Sequence, residues 1–127
     1  MALRRFGDPE EIANVLGFFH SKEHIHGNVN PSNLLYLGGI WRVCGVRYCK
    51  SIGSSMNSDG DTRRRNEMRY LPPEFFQSAE AIADETFEVV ADETFDVWSF
   101  GCILYELACG SRPLLSDNDM DSVAKWT

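Results

Sequence analysis

Apolar residues near the start of the chain recur with the spacing of an α-helix. Four of them stand at positions i, i+3, i+4 and i+7, on one helical face: Ile12, Val15, Leu16 and Phe19. Asp8 suits the N-cap and Pro9 suits the first helical position. Lys22 places a cation at the opposite end, where the helix dipole is negative. The pattern predicts an amphipathic helix over residues 9–22.

The following segments predict a loop and then a β-hairpin. Residues 24–33 lack a periodic apolar pattern and are rich in Gly, Asn and Pro, which is typical of an ordered loop. Two β-prone runs come next, Leu34–Leu37 and Ile40–Val43, and only two glycines separate them. Such runs across Gly-Gly favour a tight hairpin over residues 34–43.

The second half of the chain alternates between polar and strongly apolar stretches. Residues 51–67 contain almost no apolar side chain, which predicts a long mobile loop that includes the solvated basic run Arg63–Arg65. Residues 95–109 are apolar on nearly every side, which predicts a helix buried at the centre of the domain. Three aromatic side chains of that helix are expected in the core: Trp98, Phe100 and Tyr105.

An eight-residue unit occurs twice in succession before and within this helix. Ala83–Val90 reads Ala-Asp-Glu-Thr-Phe-Glu-Val-Val, and Ala91–Trp98 reads Ala-Asp-Glu-Thr-Phe-Asp-Val-Trp. Two units are too few for a solenoid, which needs at least three. The repeat therefore indicates a local tandem duplication inserted in a loop.

Composition narrows the class of protein. The 127 residues correspond to one domain at most, and the net charge of −7 argues against nucleic acid or an anionic membrane as a main partner. The chain shows neither a signal-peptide pattern nor an apolar run of membrane-spanning length, so a cytoplasmic or nuclear protein is expected. The cysteines lack Cys-x-x-Cys spacing and are expected to be buried free thiols: Cys44, Cys49, Cys102 and Cys109.

Four stretches occur in the order in which protein kinases carry their signature motifs. His26–Leu35, which reads His-Gly-Asn-Val-Asn-Pro-Ser-Asn-Leu-Leu, resembles the catalytic loop. Trp41–Lys50 resembles the strand and DFG region, and Met68–Glu74 resembles the APE end of the activation segment. Asp96–Gly101 resembles the start of the central helix of the C-terminal lobe (C-lobe). The chain thus resembles part of a protein kinase of the Ser/Thr type.

The resemblance implies one partial kinase-like C-lobe over residues 1–127. Its fold class is expected to be α+β, mainly α, with a small β-hairpin and a central buried helix. The predicted segments are helix 9–22, catalytic-loop-like 24–33, hairpin 34–43, activation-segment-like 45–74 and central helix 95–109. The N-lobe and the distal helices of the C-lobe are expected to be absent.

The catalytic-loop positions carry neutral residues where kinases carry charged ones. By resemblance, Asn28 stands at the catalytic Asp, which accepts or orients the proton of the substrate hydroxyl. Asn30 stands at the Lys that neutralises the γ-phosphate, and Gly27 at the Arg that pairs with a phosphorylated activation loop. Asn33 matches the Asn that helps to hold Mg²⁺. Since an amide cannot act as a base, Asn28 and Asn30 are degenerate catalytic positions.

The metal-binding Asp of the DFG motif has no acidic counterpart. One alignment places Gly45–Arg47 on DFG, with Gly45 at the Asp, and a second alignment places Val43 there. Neither recovers an acid, because no Asp or Glu lies between Asn33 and Ser58. Mg²⁺ needs several oxygen ligands and normally a carboxylate, so Asn33 alone is a weak metal site. No cofactor is expected unless the chain is an active kinase, which would use ATP and Mg²⁺.

The residues that organise the kinase lobe are retained, by the same resemblance. His26 is expected to be a buried structural histidine, and Asp96 to hydrogen-bond the backbone near it. Glu74 matches the Glu that pairs with a later Arg, whose position lies beyond Thr127. The second copy of the repeat, which contains Asp96, is expected in the family position.

Three functional interpretations follow. In the first, the chain is a catalytically inactive pseudokinase that acts as a protein-interaction or regulatory module. Its partners would be proteins, such as another kinase domain or the missing N-lobe. In the second, it is an active Ser/Thr kinase seen as a partial or divergent chain. In the third, it is a non-functional fragment that does not fold alone.

Overall fold

A computed structural model describes residues 9–56, 63–76, 89–110 and 113–115. In chain order, its elements are α1 (Pro9–Ser21), β1 (His24–Ile25), β2 (Leu34–Leu37), β3 (Ile40–Val43), β4 (Lys50–Ser51), α2 (Arg65–Met68) and α3 (Glu93–Ala108). Two 3₁₀ turns lie at Pro31–Asn33 and Val46–Tyr48, and residues 73–76 are helical. Helices and two small antiparallel sheets together give a mixed α and β architecture.

Helix α1 agrees with the helix predicted for this part of the chain. Its apolar stripe faces inward, with Ile12 and Leu16 almost completely buried. On its polar side, the Glu11 carboxylate accepts the backbone N–H of Trp41 at 3.1 Å. This hydrogen bond fixes the helix against strand β3.

The predicted hairpin is also present. Strand β2 pairs antiparallel with β3, with Leu34 opposite Val43 and Leu37 opposite Ile40. Gly38 has φ of +62° in the turn between them, a conformation that a side chain strains and that two-residue hairpin turns require. The local pattern of β-prone runs and glycines is therefore sufficient to set this element.

Two apolar clusters form the core, and α3 contributes to both. The first lies between α1, the hairpin and α3: Ile12, Leu16, Val29, Leu34, Tyr70, Cys102 and Ile103. The second lies around β1 and the start of α3: Ile25, Met56, Leu71, Phe75, Ala91 and Phe95. The loop after β1 lies between elements that belong to both clusters. The packing of these clusters therefore fixes the position of the loop.

The prediction that α3 is buried on nearly every side is wrong. Of the aromatic residues expected in the core, Phe100 is partly buried against the first cluster. Trp98 and Tyr105, however, are 36% and 42% exposed. The two clusters cover only part of the circumference of the helix, so the remaining apolar face is left at the surface.

The prediction of a long loop over residues 51–67 is wrong in part. Its first residue lies in β4, which pairs antiparallel with β1 even though β1 falls inside the predicted loop 24–33. Met56 is buried in the second cluster, where it supplies an apolar contact that a mobile loop lacks. Residues 57–62 lie outside the described residues, as do residues 83–88 of the first repeat unit.

The cysteines are free thiols, but they are not all buried as predicted. Cys102 is buried, Cys44 and Cys49 are half-buried, and Cys109 is exposed. Burial raises the pKa of the Cys102 thiol to about 11, so this thiol is held neutral and unreactive. None of the helices in the described part of the chain is both long and apolar enough to cross a membrane.

Candidate functional site

A buried carboxylate on α3 holds the loop that follows β1. Asp96 is fully buried, and its two oxygens accept the backbone N–H groups of His26 at 2.8 Å and Gly27 at 2.9 Å. His20, on α1, hydrogen-bonds the same carboxylate through Nε2 at 3.0 Å. The hydrogen bonds expected between Asp96 and the backbone near His26 are therefore present, and the second copy of the repeat provides them.

The His26 ring ties this loop to the segment after β3. Its Nε2 donates to the Cys44 carbonyl at 2.7 Å, and its Nδ1 accepts the backbone N–H of Asn28 at 3.2 Å. The ring is fully buried, with the edge of Phe19 against it at a centroid distance of 5.6 Å. Burial lowers the pKa of His26, so the neutral imidazole is favoured and the residue serves the structure of the loop.

Two asparagine amides stabilise the loop from within. Asn30 is buried, its Nδ2 donates to the Asn28 carbonyl at 3.0 Å, and its Oδ1 accepts the N–H of Ser32 at 3.0 Å. Asn33 Nδ2 donates to the same Asn28 carbonyl at 2.8 Å. The amides of Asn30 and Asn33 thus satisfy neighbouring backbone groups, a role typical of Asn in loops. That Asn28 and Asn30 are degenerate catalytic positions stays a prediction.

Gly45 lies directly against Asn33. Its φ of +76° is left-handed, and a Cβ at this position would stand 2.4 Å from Asn33 Oδ1. The Cys44 N–H also donates to the Asn33 carbonyl at 2.8 Å, which keeps the two segments together. A side chain at position 45 therefore requires Asn33 to move.

The sequence-predicted positions Asn28, Asn33 and Gly45 line one open cavity of about 350 Å³. The remaining lining residues are Arg47, Tyr48, Arg64 and Glu67. The Glu67 carboxylate accepts the backbone N–H of Arg64 at 2.8 Å, which caps the short helix α2. Sequence reasoning missed Arg64 and Glu67 because no local motif connects α2 with the catalytic-like loop.

The prediction that the basic run is a solvated loop is wrong for Arg63. Its guanidinium donates to the Gly27 carbonyl at 2.6 Å and lies 3.9 Å from the centre of the Tyr48 ring. Gly27 has φ of +82°, and a Cβ there would stand 2.5 Å from the Tyr48 carbonyl oxygen. A side chain at position 27 would therefore clash with the backbone of Tyr48. The positive charge next to this position is the guanidinium of Arg63.

The donor set of the cavity does not fit Mg²⁺. This hard cation needs near-octahedral oxygen ligands, whereas the cavity offers two amides, two guanidinium groups and the Glu67 carboxylate that caps α2. Within the described residues, no group of three or more His, Cys, Asp or Glu side chains is arranged so that it could hold a metal ion. The arginines would also repel a divalent cation.

The segment before residue 73 is fastened to α3, while Glu74 stands apart. Ser99 donates its hydroxyl to the Tyr70 carbonyl at 2.7 Å, and the Tyr70 hydroxyl donates to Glu106. Glu74 is half-buried, and the described residues show no hydrogen bond or ion pair to it. Its structural role stays a prediction.

The fold and this site agree with a known family. The family model of the protein kinase domain matches residues 9–126. The chain therefore belongs to this family. The match covers all of the elements described above.

Several proteins named as kinases are similar to the chain. An Aurora kinase of Dictyostelium discoideum is 30% identical over 112 residues, which are 86% of this chain and 25% of that protein. Serine/threonine-protein kinase 36 of Pongo abelii is 31% identical over 104 residues, 81% of this chain and 7% of that protein. Cyclin-dependent kinase-like 2 of Oryctolagus cuniculus is 24% identical over 114 residues, which are 89% of this chain and 18% of that protein. The chain spans a quarter or less of the length of these relatives.

Proposed function

We propose that this chain corresponds to part of a kinase C-lobe that does not transfer phosphate and serves as a protein-interaction or regulatory module. The order of helix, loop, hairpin and second helix supports the C-lobe assignment. The free cysteines support a reducing, intracellular compartment. The partners we propose are proteins, such as a kinase domain or an N-lobe.

The observation that carries the proposal is the chemistry of the cavity. Phosphoryl transfer depends almost wholly on positioning and on charge stabilisation by a carboxylate and Mg²⁺. The resemblance assigns the neutral amide of Asn28 to the position of the catalytic carboxylate and, in one of two alignments, the bare backbone of Gly45 to that of the metal-binding Asp. Both residues line the cavity. Removing one electrostatic contact of this kind costs on the order of 10²–10³ in rate.

Exposed apolar surface supports the proposed interaction role. The hairpin exposes Leu35, Tyr36, Leu37 and Ile40, and α3 exposes Val97, Trp98, Leu104 and Tyr105. Apolar patches that are contiguous at a surface often mark protein interfaces. Because Trp98 and Tyr105 belong to a helix that also forms the core, a partner at this face would contact a rigid element.

An active Ser/Thr kinase is the alternative, and one structural observation favours it. Glu67 brings a carboxylate into the cavity from α2, and the similar proteins are named as kinases. Against this, the Glu67 carboxylate already accepts the Arg64 N–H. An active kinase would need the Glu67 carboxylate as the acidic group of its site. Phosphate transfer by the Glu67→Gln variant, compared with the wild-type chain, therefore distinguishes an active kinase from an inactive one.

The test is transfer of labelled γ-phosphate from Mg²⁺-ATP, by the chain itself, to a generic Ser/Thr substrate. We expect no transfer above background for the wild-type chain, for Glu67→Gln or for Asn28→Asp, because the metal site is missing in all three. Transfer by the wild-type chain that Glu67→Gln abolishes would establish the alternative. A single cooperative thermal unfolding transition of the same preparation would argue against a non-folding fragment.

A further inference from the structure

Helix α2 lies between two buried residues, Arg63 before it and Tyr70 after it. These two side chains are 6% and 7% exposed, whereas Arg64 and Asn66 between them are exposed. The end at Tyr70 is tied to α3, because its carbonyl accepts the hydroxyl of Ser99 at 2.7 Å. The position of the opposite end of α2 therefore depends on the contacts of Arg63.

The Arg63 guanidinium contacts three other segments of the chain. It donates to the Gly27 carbonyl at 2.6 Å, in the loop after β1. It also lies 3.9 Å from the centre of the Tyr48 ring and 5.2 Å from the centre of the Phe75 ring. Hydrogen bonds from a charged donor and cation–π contacts are both stronger where water is excluded. One side chain thus joins the start of α2 to the loop, to the turn after β3 and to the helical residues 73–76.

Helix α2 and its N-cap form one wall of the cavity, through Glu67 and Arg64. The other described lining residues belong to the loop after β1 and to the segment that follows β3. A movement of α2 would therefore remove one cation and one carboxylate from the cavity together. The position of α2 decides which charges the cavity presents.

We propose that α2 is a gate at the cavity and that Arg63 is the latch that holds it closed without a phosphate group. The guanidinium, the Gly27 carbonyl and the aromatic rings all belong to the unmodified chain. By the resemblance, Gly27 stands at an Arg that pairs with a phosphorylated activation loop. In this chain the cation comes from the segment that is held. The inference goes beyond the proposed function and does not depend on the loss of phosphate transfer.

The test is amide hydrogen exchange, followed by NMR at a series of low urea concentrations. It uses the wild-type chain, treated with phosphatase and shown by mass spectrometry to carry no phosphate. The amides of Glu67 and Met68 report on α2, because both donate to the Arg64 carbonyl, at 2.9 and 3.0 Å. We expect these amides to be protected and their exchange to be independent of urea, since a local opening exposes little surface. Exchange of the α1 amides should accelerate with urea, because it requires global unfolding.

Variants identify the latch. Arg63→Gln should accelerate exchange of the Glu67 and Met68 amides about tenfold or more, the effect of losing one charge-assisted hydrogen bond. Arg63→Lys should restore part of the protection, since an ammonium can donate to the Gly27 carbonyl but has no planar face to stack on a ring. The matched control is Arg64→Gln, which makes the same change at the adjacent exposed residue and should leave the exchange rates unchanged.

Three results would overturn the inference. The Glu67 and Met68 amides could lack protection in the phosphate-free chain. They could show the same urea dependence as the α1 amides, which would mean that α2 opens only when the whole chain unfolds. Arg63→Gln and Arg64→Gln could accelerate exchange equally. Since none of these results measures phosphate transfer, each would leave the proposed function unchanged.

Discussion

By the resemblance to kinases, Gly27 and Gly45 are predicted to stand where the family carries functional side chains, and a Cβ at either position would come within 2.5 Å of a neighbouring atom. At position 27 a Cβ would collide with the Tyr48 carbonyl oxygen, and at position 45 with the Asn33 amide. Replacing Gly45 by Asp would therefore displace Asn33 instead of simply adding a metal ligand.

Gly45→Ala is expected to destabilise the chain more than Gly38→Ala. Both glycines have positive φ, so both substitutions incur left-handed strain of about 1–2 kcal/mol. Nothing lies within 4 Å of a Cβ at Gly38, whereas at Gly45 the Asn33 amide must move and release its hydrogen bond to Asn28. The free energy of unfolding from urea titration should fall by about 1 kcal/mol more for Gly45→Ala. Equal losses would show that Asn33 moves at no cost.

Arg63→Ala should lower the stability by about 2 kcal/mol, because it removes a buried hydrogen bond and the stacking on Tyr48. Arg63→Lys should recover only part of this loss, since an ammonium lacks the planar face of a guanidinium. The neighbouring exposed Arg64 gives the control, and Arg64→Ala should change the stability by less than about 0.5 kcal/mol. Similar losses for Arg63→Ala and Arg64→Ala in thermal denaturation would contradict the buried role.

The pKa of His26 makes stability depend on pH in a defined direction. Burial lowers this pKa from its ordinary value of 6.5, so the unfolded chain takes up the proton more readily than the folded chain. Stability is therefore expected to decrease as the pH falls below 6.5, down to the pKa of the folded state. Titration of the His26 ring by NMR should give a midpoint below 6.5, and a midpoint at or above that value would contradict the burial argument.

Some single residues could be predicted from sequence and others could not. Asp96 and His26 sit in short motifs whose order along the chain defines their neighbours, and the structure shows their hydrogen bonds. Arg63 and Glu67 lie in a polar stretch without periodicity, where composition alone favours solvent. Their contacts with Gly27 and the cavity depend on chain segments far away in sequence, so no local signal identifies them.

At the scale of elements, the start of α3 depends on its N-cap. The Asp92 carboxylate accepts the N–H of Thr94 at 2.9 Å, and this hydrogen bond lowers the pKa of Asp92. Asp92→Ala should lower the free energy of unfolding by about 1 kcal/mol, whereas Asp92→Ser should retain most of it. Because the folded-state pKa is lowered, the contribution is present at neutral pH and is lost as the pH falls through that pKa. Urea titration at pH 7 checks this, and an equal loss for both variants would contradict capping by the side chain.

Elements set by local patterns were predicted, and elements set by distant pairing were not. Helix α1 and the β2–β3 hairpin follow from apolar spacing and from two glycines. Strand β4 has only two residues, and it exists because β1 is available to pair with it. A strand of two residues is too short to show the alternation of apolar and polar residues by which strands are predicted from sequence.

At the scale of the whole molecule, the sequence predicts which helix is central but not which of its faces is covered. The amino acids of α3 are apolar around most of its circumference, a pattern that full burial would require. The described structure covers the face of Ile103 and leaves Trp98 and Tyr105 at the surface. Which face of α3 is buried depends on the other elements that pack against it. The apolar pattern of the helix itself contains no information about those elements.

The central claim is that this kinase-family domain has kept its framework while losing the acidic groups that handle the metal ion. It is tested most directly by the affinity of the chain for ATP with and without Mg²⁺, measured by calorimetry at one ionic strength. Since the cavity offers arginines and amides, we expect Mg²⁺ to leave the affinity unchanged or to weaken it by masking the phosphate charge. Affinity that rises tenfold or more on adding Mg²⁺ would contradict the account.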